Sequence, residues 1–124
     1  MRMRVLAVVV ATTALGLLGA CGEDRQPLAT GEQIRIEGSE MAFTPAALTT
    51  ATGRHLIVFT NVGAVRHELA VASPAGTVLV ARSIGAGETV AFDVALEKAG
   101  IYRLLCREPG HTNAGMAGTL TVTG

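Results

Sequence analysis

From Gln33 onward, apolar and polar residues alternate with a period of two, in short runs broken by glycine and proline. In Gln33-Ile34-Arg35-Ile36-Glu37 the isoleucines take one face and the polar residues the other, the signature of a half-buried strand. His55–Thr60 (HLIVFT) is apolar on both faces, which predicts a strand in the middle of a sheet. In His67-Glu68-Leu69-Ala70-Val71, residues His67, Leu69 and Val71 share a face. Thr77–Val80, Thr89–Ala95, Ile101–Cys106 and Thr119–Thr123 complete the series. Turn formers such as Ser73-Pro74-Ala75-Gly76, Gly85-Ala86-Gly87, Ala99-Gly100 and Pro109-Gly110 separate most of them. No segment after the first twenty residues holds a helical period, although Val94–Ala99 has room for one turn. Seven or eight strands at this spacing predict an all-β fold, an antiparallel Greek-key β-sandwich.

The first twenty residues have a different pattern. Arg2 and Arg4 precede a charge-free run from Val5 to Ala20, which is too short to favour a spanning helix. The run ends in Leu18-Gly19-Ala20-Cys21, which resembles the lipobox of bacterial lipoproteins. That resemblance implies a signal peptide over 1–20 and lipidation of Cys21. An ordinary signal cut after Ala20, with Cys21 left free, is the alternative. Residues 21–32 carry charges and turn formers with almost no apolar pattern, so they read as a lipidated tether reaching about 20 Å. The third segment, 33–124, is the folded domain. On this reading the mature chain is extracytoplasmic, lipid-anchored to the bacterial cell membrane on its periplasmic or outer face, because two or more acyl chains give stable anchoring.

Composition narrows the function. The 124 residues allow one domain, and ten basic residues balance ten acidic ones. Loss of Arg2 and Arg4 with the signal leaves eight against ten, a field too weak to name a partner. Three Phe, one Tyr and no Trp give no stacking platform, and no basic face exists, so nucleic-acid binding is excluded. With Cys21 lipidated, Cys106 is the one remaining thiol and no internal disulfide can form. An unpaired cysteine in an oxidising compartment calls for a use.

Residues 106–116 suggest one. They read Cys106-Arg107-Glu108-Pro109-Gly110-His111-Thr112-Asn113-Ala114-Gly115-Met116, a Cys-x4-His-x4-Met spacing between two predicted strands. Thiolate, imidazole and thioether form a soft set suited to copper rather than magnesium or calcium. Strand parity puts Cys106 on the face of Leu104 and Tyr102, and Pro109-Gly110 can turn the chain so that His111 returns toward its sulfur. His67, at the inward phase of its own strand, is the candidate second histidine. Two His and a Cys with a weak axial Met is the blue-copper arrangement. Each residue also has a bland use: a small buried hydrophobe, a turn, core filling. His55 begins a strand with no second donor at ligand spacing and is expected at a rim.

On these residues the chain resembles the cupredoxins, plastocyanin, azurin, amicyanin and rusticyanin among them, and the spacing is most similar to that of rusticyanin. The likeness extends over 33–124. It includes Met41-Ala42-Phe43 with Pro45, Asn61-Val62-Gly63 before His67, Gly85–Thr89, Gly100-Ile101-Tyr102 and Gly115–Gly118. It implies one type 1 copper ion, with His67, Cys106 and His111 as equatorial ligands and Met116 as the axial one. There is one departure. Plastocyanin and azurin have Asn directly after the first ligand histidine, where it helps to pin the ligand loop, and here that place is Glu68.

The implied function is one-electron transfer between extracytoplasmic redox partners, a cytochrome or a copper enzyme, by a monomer that is not itself an enzyme. The His111 ring edge would be the port, ringed by small and apolar residues such as Pro109, Ala114 and Ala64. A copper oxidase would place histidines on both sides of the cysteine, where this chain has Leu105 and Arg107, and three histidines are too few for a second copper centre. Copper delivery without redox turnover is the competing reading, although no exposed Met/His-rich tract is present.

Overall fold

The structure is a computed structural model and describes residues 33–124. The signal, Cys21 and the tether therefore lie outside the described residues. Nine strands follow in order: β1 Ile34–Ser39, β2 Ala42–Thr44, β3 Ala47–Ala51, β4 Gly53–Asn61, β5 His67–Ala72, β6 Val78–Ile84, β7 Thr89–Leu96, β8 Gly100–Leu105 and β9 Ala117–Thr123. They form two sheets, a four-stranded one in the order β2-β1-β4-β7 and a five-stranded one in the order β3-β9-β8-β5-β6. The all-β sandwich is as the alternation predicts.

Two details differ from that expectation. Both sheets are mixed, because β1 runs parallel to β4 and β3 parallel to β9. The count rises to nine through β2 and β3, which arise where the chain changes sheets. β2 folds back antiparallel on β1, the chain crosses at a cis Thr44–Pro45 peptide, and β3 joins the far edge of the opposite sheet. β3 (ALTTA) has only Leu48 as a large apolar residue and is no more than half-buried, so it carries almost no hydrophobic period.

Elsewhere alternation becomes burial directly. In β4, His55, Ile57, Phe59 and Asn61 are buried, while Leu56 and Val58 are half-buried on the outer face of a strand flanked on both sides. The core joins both inner faces: Ile36, Ile57, Phe59 and Phe92 from one sheet, Leu69, Val71, Leu104 and Leu120 from the other. Phe43 meets Phe59 edge-on with ring centroids 6.2 Å apart, a favoured aromatic geometry. The single turn proposed at Val94–Ala99 is instead the end of β7 and a bend beyond Leu96. Tyr102 closes it by donating its hydroxyl to the Lys98 carbonyl at 2.8 Å, much as a tyrosine corner does in other sandwiches.

Candidate metal centre

Strand register brings the predicted donors to one end of the sandwich. In the β5–β8 pair, Ala70 faces Leu105. Carrying that antiparallel register one step further sets Leu69 beside Cys106, with His67 just beyond at the start of β5. In the β8–β9 hairpin, Leu105 faces Ala117, and the next pair outward is joined by Cys106 N–H donating to the Met116 carbonyl at 3.2 Å. Two donors of the Cys-x4-His-x4-Met motif are thus placed by the sheet, and His111 alone depends on the loop.

That loop is wound tightly enough to fix it. His111 N–H donates to the Glu108 carbonyl, and the His111 carbonyl accepts from Met116 N–H, both at 3.0 Å. Gly110 and Gly115 take φ values of 81° and 100°, which a side chain would oppose. The Thr112 hydroxyl donates to the Cys106 carbonyl and ties the loop to its own root. As the Pro-Gly turn predicts, His111 comes back to the sulfur, with Nδ1 3.4 Å from Cys106 Sγ.

One potential ligand atom from each of His67, Cys106 and His111 lies within 4.8 Å of the others. The two imidazoles present Nδ1 to Nδ1 at 3.3 Å. His67, Cys106 and Met116 are fully buried, and His111 is partly exposed. Burial first, and then the neighbouring His111, hold the His67 imidazole below the ordinary histidine range. The centre is therefore two converging nitrogens, a sulfur and a buried thioether-bearing residue, with no carboxylate among the grouped donors. This donor set fits a soft, copper-type ion and not an oxygen-seeking one.

The departure at Glu68 has a structural answer. Its backbone N–H points at Cys106 Sγ, 3.4 Å away. Its carboxylate grips Arg107 in a fork, with Nε–Oε1 at 2.6 Å and Nη2–Oε2 at 3.0 Å, and also accepts the Arg107 backbone N–H at 3.3 Å. An ion pair thus joins the segments that carry His67 and Cys106, and the carboxylate raises the Arg107 guanidinium further. The Ser83 hydroxyl donates to Glu108 at 2.7 Å and ties the same loop to β6.

Two residues hold the loop before His67: Asn61, known from the sequence only as part of a turn, and Glu40, which the sequence does not mark. Asn61 is buried, donates Nδ2 to the Val65 and Ile84 carbonyls at 2.7 and 3.2 Å, and accepts Gly63 N–H at 2.9 Å. Glu40 Oε1 accepts the Ala64 and Val65 N–H groups at 2.5 and 3.3 Å, and those bonds lower its carboxyl below the usual carboxylate range. Asn61-Val62-Gly63 carried a turn signal; nothing in the sequence linked Glu40 to a loop so distant along the chain. His55 lies near the opposite end of β4 and is buried rather than at a rim, with Nε2 2.7 Å from the Ala51 carbonyl. It is not brought to the centre.

Comparison with known proteins agrees with this geometry. The sequence pattern of the copper binding proteins, plastocyanin/azurin family, matches residues 31–123. No curated protein matches the chain in sequence. Among solved structures, a dithionite-reduced auracyanin from the photosynthetic bacterium Roseiflexus castenholzii superposes with a TM-score of 0.70 at 22% identity, covering 77% of this chain and 99% of the other. Auracyanin B follows with a TM-score of 0.68 at 22% identity, covering 77% and 91%. Auracyanin A, described as a blue copper protein of the green thermophilic bacterium Chloroflexus aurantiacus, gives 0.63 at 24%, covering 74% and 98%. At these identities the likeness is one of fold. The family match, the sandwich and a soft donor cluster at one end of it lead to one conclusion: the chain belongs to the plastocyanin/azurin family of copper-binding proteins, a cupredoxin with one type 1 copper site.

Proposed function

We propose that the protein carries single electrons between extracytoplasmic redox partners, with His67, Cys106 and His111 holding the copper and Met116 as its weak axial neighbour. The observation that carries this reading is the convergence of one ligand atom each from His67, Cys106 and His111 within 4.8 Å, with the two Nδ1 atoms 3.3 Å apart, in a pocket braced on several sides. Bound copper supplies a Cu(II)/Cu(I) couple. The protein's part is to keep the donors in one arrangement for both charge states, so that little reorganises when an electron arrives. Asn61, Glu40, Glu68 and Thr112 do so by bonding the backbone of both ligand segments.

The same bracing argues against copper delivery, which favours ligands that open, and Leu105 and Arg107 beside Cys106 leave no histidines to relay electrons to a second copper centre. His111 is partly exposed, and Ala64, Pro109 and Ala114 are exposed in the two ligand loops, with Val62 and Val65 adding apolar surface. That surface suits brief contact with a redox protein such as a cytochrome or a copper enzyme. The protein acts as a monomer on the extracytoplasmic side, tethered through lipidated Cys21. Among the described residues no helix is long and apolar enough to cross a membrane. Addition of Cu(II) to the metal-free protein should give an intense blue absorption and a reversible one-electron wave, with metal exchange far slower than electron exchange. A colourless product, or copper lost to a competing chelator as fast as electrons are exchanged, refutes the carrier.

A further inference from the structure

We propose that Glu40 is a positioning residue for the copper site, the outer partner of the His67 imidazole, whose negative charge favours the oxidised state. The proposal rests on the copper assignment above and adds to it a residue from a distant hairpin.

Three observations converge on it. His67 Nε2 is buried and has no hydrogen-bond partner within the protein. Such an orphan N–H ordinarily carries the full desolvation penalty of the buried group. The carboxylate oxygen Oε1 of Glu40 lies 3.8 Å from it. Between them is Gly63: a Cβ there would collide with Oε1 and come within 2.9 Å of Nε2. The glycine keeps open the gap across which carboxylate and imidazole face each other.

The hairpin that presents Glu40 points the same way. Ser39 pairs with Ala42, so Glu40-Met41 is a two-residue loop. Met41 sits at φ 61°, a region that glycine or asparagine occupies more cheaply. Strain of this sort persists where surrounding contacts over-determine it. Here those contacts are the Ala64 and Val65 N–H groups, which hold Oε1 at the edge of the His67 ring. A histidine ligand is commonly oriented by what its second nitrogen faces. With Nε2 carrying the proton toward Glu40, Nδ1 keeps its lone pair for the metal. The carboxylate's charge then stabilises Cu(II) relative to Cu(I).

Glu40→Gln separates this role from loop bracing, since the amide oxygen can still accept both N–H groups while the charge is gone. The expected result is a blue protein of near-parental Tm, with the Cu(I)/Cu(II) ratio at fixed ambient potential raised roughly tenfold, equivalent to about 59 mV for one electron. Glu40→Asp, which keeps the charge, should fall between the two. An unchanged ratio in Glu40→Gln overturns the proposal. A second measurement needs no metal. Nitrogen-15 spectra of the metal-free chain should show His67 as the Nε2–H tautomer, and an Nδ1–H tautomer also overturns it. A parent chain that stays colourless with Cu(II) would refute the copper reading, and the tautomer would still decide on Glu40.

Discussion

Two buried histidines sit at opposite ends of one sandwich and live by different rules. His55 has a close carbonyl partner at 2.7 Å and lies far along β4 from any cysteine or second histidine. His67 is just as buried, yet its Nε2 has no hydrogen-bond partner, its Nδ1 faces another imidazole, and two short loops are braced around it. The two ends of the fold differ in the same way. The base, where β5 turns into β6 and β7 into β8, opens into a groove of about 680 Å³ lined by residues such as Pro74, Leu79, Val94 and Tyr102. The loops at the other end are closed by side chains reaching for backbone. A satisfied buried histidine is a structural member. One whose ring nitrogen faces a second imidazole beside a cysteine sulfur is a candidate site, and side chains bonded to backbone hold both loops around it.

The sharpest way to break this contrast is to exchange donors. Cys106→Ser should abolish the blue absorption, which arises from thiolate-to-copper charge transfer, while His55→Ala should leave it intact. Visible spectra of the two copper-loaded variants test the contrast directly, and loss of colour in His55→Ala would collapse it. Bracing comes next. Asn61→Ala strands the Val65 and Ile84 carbonyls and the Gly63 N–H, and should cost about 3 kcal/mol. That corresponds to a fall in Tm of roughly 15 °C for a domain of this size, measurable by circular dichroism. A smaller, electrochemical effect is expected at Met116. Replacing its thioether by the amide of Met116→Gln should lower the reduction potential, and Met116→Leu should raise it. Voltammetry that fails to order them Leu above Met above Gln makes Met116 core filling. The mildest change is Ala114→Glu, in an exposed part of the loop, which should slow electron self-exchange without altering the spectrum.

Most strands were legible because residues two places apart share one face of the sheet, so alternation in sequence marks the buried side. That is how Gln33–Glu37 and His67–Val71 announce themselves. β2 and β3 were not legible: three and five residues long and built largely of alanine and threonine, they are held by pairing with β1 and β9 rather than by their own pattern. The site divides similarly. Cys106, His111 and Met116 share one loop, so their spacing alone was informative, and His67 followed from strand phase. The pairing of Glu68 with Arg107 becomes visible only once β5 and β8 are in register. Glu40 reaches its loop across two different strand connections, and no local signal marks such a contact.

The place of β9 in the sheet has a consequence for how the protein acquires its metal. β9 is an inner strand, bordered by β3 on one side and β8 on the other, although it follows every other described strand along the chain. β3 therefore has no strand partner until β9 is in place, and Met116, directly before β9, is positioned in the same step. Cys106 N–H lacks its Met116 acceptor over the same interval. Assembly of the centre is in this sense a finishing event. On the proposed ligand set, the donors from β5, β8 and the loop before β9 come together only once β9 has taken its place. A chain truncated before Ala117 would not be a weaker version of this protein; it would lack the strand that joins β3 to β8.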